Sequence, residues 1–96
     1  MKAEIFESKF WISETNAAVL KSETEILLLK SGFQIVGFTE HYFQPQGFTC
    51  VWLLAESHCA IHTFPEKNKS YILLNSCNSE YNKLFQNYFQ HSFICL

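Results

Sequence analysis

The segment Leu54-Ala55-Glu56-Ser57-His58-Cys59-Ala60-Ile61-His62-Thr63-Phe64-Pro65-Glu66 gathers most of the reactive side-chain types in this chain of 96 residues. It holds a hydroxyl nucleophile type in Ser57, imidazoles in His58 and His62, and carboxylates in Glu56 and Glu66. A hydroxyl near a base is the minimum for nucleophilic attack on a carbonyl. If the segment is a strand, alternation puts His58, Ala60, His62 and Phe64 on one face and Cys59, Ile61 and Thr63 on the other. Ser57 is then out of phase with His62 and must sit at a bend to join that face.

Several chemistries fit these residues. A Ser-His hydrolase needs an orienting acid and an oxyanion hole, but there is no G-x-S-x-G elbow and the chain has no aspartate. A metal site could draw on His58 and His62, which share a strand face, with Cys77 or Glu56 as third ligand. The simplest alternative is a strand whose histidines are satisfied polar groups. The cysteines, at 50, 59, 77 and 95, never form a C-x-x-C pair, which disfavours a zinc knuckle or a dithiol redox site. As a default, each is a small buried hydrophobe.

The elements that must position these groups follow from pattern. Residues 2–7 read as a first strand. Residues 14–31 read as helical, in one piece or two, with Ser13 as a candidate N-cap, a capping box at Ser22-Glu23-Thr24-Glu25 and a stop at Gly32. Phe33 to Phe43 and Phe48 to Ala55 read as strands joined by the turn Gln44-Pro45-Gln46-Gly47. Residues 58–64 and Tyr71 to Ser76 give two more strands. Tyr81, Leu84, Phe85, Tyr88 and Phe89 have the spacing of an amphipathic helix, and Ser92 to Leu96 reads as an edge strand. The order predicts an α+β fold: a two-layer sandwich, with an antiparallel sheet and two helices on one face, in a single domain covering 1–96. The other face needs a cover, and a second copy is the natural one.

Composition narrows the partners. Seven lysines, no arginine and nine glutamates leave a net charge of −2, without the guanidinium forks that grip phosphate or guanine. Nucleic acid is not expected as a partner. Apolar runs such as Ile26-Leu27-Leu28-Leu29 are too short to span a bilayer. The opening Met1-Lys2-Ala3-Glu4 is unlike a signal peptide. The expectation is a soluble, cytoplasmic chain with no membrane partner.

Glu56 to Glu66 resembles E-S-H-x-x-I-H-T-x-P-E, the processing motif of the small, pyruvoyl-dependent prokaryotic S-adenosylmethionine decarboxylases. The family also has a histidine five residues after its serine and a cysteine twenty after it, and here these positions hold His62 and Cys77. Phe43, in Phe43-Gln44-Pro45-Gln46-Gly47, matches an aromatic in the family's F-x-P-x-G-type turn. Thr49 stands where the family usually has serine, and Phe64 where tryptophan is common. The segment Tyr71-Ile72-Leu73-Leu74-Asn75-Ser76-Cys77-Asn78 departs from the usual A-x-D-x-F-T-C-G by lacking its acid and its aromatic.

The resemblance implies self-cleavage between Glu56 and Ser57 into chains 1–56 and 57–96, with Ser57 becoming a pyruvoyl group that forms a Schiff base with the substrate. It implies processing roles for His62 and Thr49, proton donation by Cys77, and substrate contacts from Phe43, Phe64 and Glu66, without a metal. The product would feed spermidine, a polyamine, and the enzyme would be a homodimer of cleaved protomers. Two alternatives remain beside it: a pyruvoyl-dependent decarboxylase of arginine or ornithine, and a silent homologue that binds a nucleoside ligand.

Overall fold

The computed structural model describes residues 4–96. Its elements are β1 (Phe6–Ile12), α1 (Ala17–Ser31), β2 (Ile35–Tyr42), β3 (Phe48–Leu54), β4 (Ser57–Phe64), a 3-10 turn (Pro65–Lys67), β5 (Lys69–Ser76) and α2 (Ser79–Ser92). The strands form one antiparallel sheet in the order β1-β5-β4-β3-β2. The fold is the expected α+β sandwich.

Strand alternation divides the sheet into a covered and an open face. Cys50, Trp52, Leu54, Cys59, Ile61, Ile72 and Leu74 are buried in one core with Leu20, Leu27 and Leu28 of α1 and Phe85 and Phe89 of α2. The intervening residues, among them Val51, Leu53, His58, His62, Phe64 and Tyr71, point the other way. Leu53 is 53% exposed and Phe64 37%.

Local chemistry sets the ends of α1. Asn16, not Ser13, is its N-cap, accepting from Val19 N at 3.0 Å. Ser13 is instead engaged through its backbone, donating to Ile94 O at 3.1 Å. The Ser22–Glu25 box falls inside a single helix, where Ser22 Oγ turns back to Ala18 O at 3.0 Å. Gly32 ends the helix at φ 110°, a left-handed conformation that suits glycine.

Two strand assignments are corrected. The first strand spans Phe6–Ile12, because pairing with β5 carries it inward to Ile12, which is fully buried; residues 2 and 3 of the expected strand lie outside the described residues. The expected terminal strand is only one bridge, Ile12 to Cys95. α2 continues to Ser92 and Phe93 is buried, leaving too few residues for a ladder. No helix among the described residues is long and apolar enough to cross a membrane.

Candidate active site

β3 and β4 are joined through Ala55 and Glu56 alone, with Leu54 facing Ser57 across the closing pair. So tight a hairpin asks for left-handed backbone, and Glu56 supplies it at φ 61°. The bend therefore lies one residue before Ser57, and the Glu56–Ser57 peptide is held at the end of the sheet. Ser57 also faces Ser76 of β5, which brings the next residue, Cys77, to the turn. Cys77 Sγ donates to the carbonyl oxygen of Glu56 at 3.2 Å. The thiol is exposed. A cavity of about 580 Å³ opens here, lined by Phe33, Glu56, Ser57, Cys77 and Tyr81 among others.

A second group forms farther along the same strands. Thr49 and His62 are register partners on β3 and β4, and Thr49 Oγ1 lies 3.0 Å from His62 Nδ1. Phe64 packs on Trp11 with centroids 5.9 Å apart. Phe43 meets the His41 ring edge-on at 4.6 Å. Glu66 is exposed in the 3-10 turn.

The two groups do not meet within one chain. Five residues of β4 separate Ser57 from His62, a span of about 16 Å. The structure thus assembles Glu56, Ser57 and Cys77 at one end and Thr49 and His62 at the other, with Phe43, Phe64 and Glu66 outside the Ser57 end. The same rise puts His58 and His62 about 13 Å apart, so sharing a face does not let them share an ion. No three or more His, Cys, Asp or Glu residues among the described ones are grouped to hold a metal.

Not every cysteine follows the buried default. Cys50 and Cys59 are buried, whereas Cys77 and Cys95 are exposed. Burial, with the Glu40 carboxylate, pushes the Cys50 thiol up to about 12, and burial raises Cys59 well above its ordinary value. Neither is a ready thiolate. Two neighbours of the site escaped the motif: Trp11, against Phe64, and Asn75, whose Nδ2 is 3.4 Å from His58 Nε2. Alternation from Cys77 puts Asn75 on the open face, but only the β4–β5 register pairs it with His58.

A family model described as S-adenosylmethionine decarboxylase matches residues 12–93. The S-adenosylmethionine decarboxylase proenzyme of Prochlorococcus marinus strain MIT 9211 is 33% identical over 63 residues, which is 66% of this chain and 52% of that protein. The proenzyme of the same name from Geobacillus kaustophilus is 45% identical over 49 residues, 51% of this chain and 40% of that one. The chain spans about half the length of the curated relatives it matches. The crystal structure of the adenosylmethionine decarboxylase from Aquifex aeolicus superposes with a TM-score of 0.76 at 20% identity, covering 95% of this chain and 81% of that one, and so shares the fold.

Proposed function

The chain belongs to the S-adenosylmethionine decarboxylase family, and from that premise we propose that it cleaves itself between Glu56 and Ser57 and then decarboxylates S-adenosylmethionine. Ordinary side chains offer no electron sink for removing carbon dioxide from an amino acid. Ser57 is the residue from which one can be made. Its Oγ attacks the Glu56 carbonyl carbon, the C–N bond breaks, and an ester replaces the amide. Loss of the Ser57 Cα proton then expels Glu56 as a carboxylate by breaking Cβ–O. The dehydroalanine left behind tautomerises to an imine, and water displaces ammonia to give a pyruvoyl carbonyl. That group supplies the point of attachment for a substrate amine and the sink for the electron pair left by carbon dioxide.

The observation that carries this proposal is the Cys77 thiol on the Glu56 carbonyl oxygen at 3.2 Å. A donor at that oxygen stabilises the negative charge that develops when Oγ attacks. Left-handed backbone at Glu56 adds strain of about 1–3 kcal/mol beside the bond to be broken. Once the chain is cleaved, the same thiol is near enough to residue 57 to return a proton to the decarboxylated carbon.

The remaining groups come from a second copy. The open face exposes Leu53, Phe64 and Trp11, and a chain of this size gains much by covering such a face. A two-fold axis across it lays the Thr49–His62 end of one chain over the Ser57 end of its partner. His62 of the partner subunit, hydrogen-bonded to the partner's Thr49, then assists the proton transfers of cleavage. The partner's Phe43 and the partner's Phe64 offer faces to adenine and the sulfonium, and the partner's Glu66 meets the ribose hydroxyls. The dimer would act in the cytoplasm and supply the aminopropyl donor for spermidine. Release of carbon dioxide from carboxyl-labelled S-adenosylmethionine, arginine and ornithine, run in parallel, tests the activity. S-adenosylmethionine should be the fastest; faster turnover of either other compound overturns the substrate, and no release from any overturns the activity.

A further inference from the structure

The open face beside Ser57 holds a polar pair that these steps leave unused. His58 and Asn75 face each other across β4 and β5, and Asn75 Nδ2 stands 3.4 Å from His58 Nε2. The amide nitrogen is thus turned to the ring. Asn75 Oδ1 is buried, with no hydrogen-bond partner among the described residues. Folded proteins rarely keep an unsatisfied buried acceptor, because its lost hydration is not replaced.

The surroundings say what would satisfy it. A cavity of about 370 Å³ is lined by Ile5, Val51 and Leu53 on its apolar side and by Glu56, Ser57, His58, Asn75 and Ser76 on its polar side. Among the described residues no lysine lines it, and the Glu56 carboxylate is its one formal charge. A hydrogen-bond donor carrying positive charge answers both the unpaired oxygen and the carboxylate. A substrate carboxylate answers neither.

We propose, on the decarboxylase reading above, that Asn75, held by His58, receives the α-ammonium group of the amino-acid substrate together with Glu56. The terminal torsion of asparagine is soft, so Oδ1 turns into the cavity without leaving the His58 side of the strand pair. An ammonium has three N–H donors: Oδ1 takes one and the Glu56 carboxylate another, and transfer of that second proton to the carboxylate frees the nitrogen lone pair to attack residue 57. Asn75 is then a specificity residue for the amine, delivering it to the carbon it must attack.

The test uses the full-length Ser57→Ala protein, in which cleavage is not needed. Calorimetry compares S-adenosylmethionine with its analogue bearing hydrogen in place of the α-ammonium group, while NMR follows the His58 imidazole. The amine-bearing compound should bind about tenfold more tightly and shift the His58 resonances. Adding Asn75→Leu should remove that preference, and Asn75→Asp should retain it. A preference that survives Asn75→Leu overturns the proposal. So does an Asn75→Leu effect confined to dimer stability, which would make Oδ1 a subunit contact. If neither compound binds while the wild-type chain still cleaves itself, the subsite is wrong and the pyruvoyl mechanism stands. If the wild type does not cleave, that mechanism fails, and the amine preference of Ser57→Ala still decides the subsite.

Discussion

Cys77 Sγ and the carbonyl oxygen of Glu56 are 3.2 Å apart although 21 residues separate them in sequence. The β4–β5 register makes the contact, by setting Ser76 opposite Ser57. One thiol thereby faces both the bond proposed to be cut and the residue proposed to change. Cys77→Ala should slow self-cleavage about tenfold, a modest figure because a thiol is a weak donor. The cleaved fraction should then release carbon dioxide poorly. Time courses of intact mass separate the two effects, and Cys50→Ala and Cys95→Ala should leave the cleavage rate near wild type. Equal losses at all these positions would remove the special place of Cys77.

The distance of about 16 Å between Ser57 and His62 makes a prediction that only a shared site fulfils. His62→Ala should fail to cleave alone, and so should Ser57→Ala. In mixed dimers, His62 of the Ser57→Ala chain can serve Ser57 of the other, and the His62→Ala chain should be cut. Sedimentation should find dimers at micromolar concentration. A mixture that stays uncut, although mixed dimers are present, would refute the two-chain arrangement.

Much of this was legible in the sequence because the signals were local. Alternation from His58 to Phe64 placed His62 and Cys59 on opposite faces, as the structure has them; the bend expected at Ser57 falls instead at Glu56, and Ser57 stays in regular β4 register, out of phase with His62. The two-helix, one-sheet class followed from element order. What failed depended on distant partners. Ile12 became part of β1 only through pairing with Ser70, and α1 begins at Ala17, so Asn16 and not Ser13 is in place to cap it, while the Ser13 N–H bonds Ile94 O. Motif spacing likewise joined Ser57 and His62 on paper, while strand rise holds them apart.

Gly32 is a structural test point. Its φ is 110°, and a Cβ there would come within 2.8 Å of the Tyr81 ring. Gly32→Ala should lower stability by about 1–3 kcal/mol, seen as a lower midpoint in a urea titration. An unchanged midpoint would show that the α1 end and Tyr81 yield more readily than this packing implies.

Alkaline pH should also weaken the fold. Cys50 titrates near 9.0 when free of its surroundings and at about 12 in the folded chain. Its folded form keeps a proton that the unfolded chain gives up, so stability is fully present below about pH 9 and falls as pH rises toward 12. Buried Cys59 shifts in the same direction. Urea midpoints measured between pH 8 and 11 should decline, and less steeply in Cys50→Ala. An identical slope in that variant would assign the decline to other groups.

The most direct test of the central claim is the intact mass of purified wild-type protein under denaturing conditions, beside Ser57→Ala. The wild type should resolve into chains 1–56 and 57–96, the second blocked to N-terminal sequencing by its pyruvoyl group, while Ser57→Ala remains one chain of 96 residues. A wild-type chain that is still full length after prolonged incubation would contradict the claim.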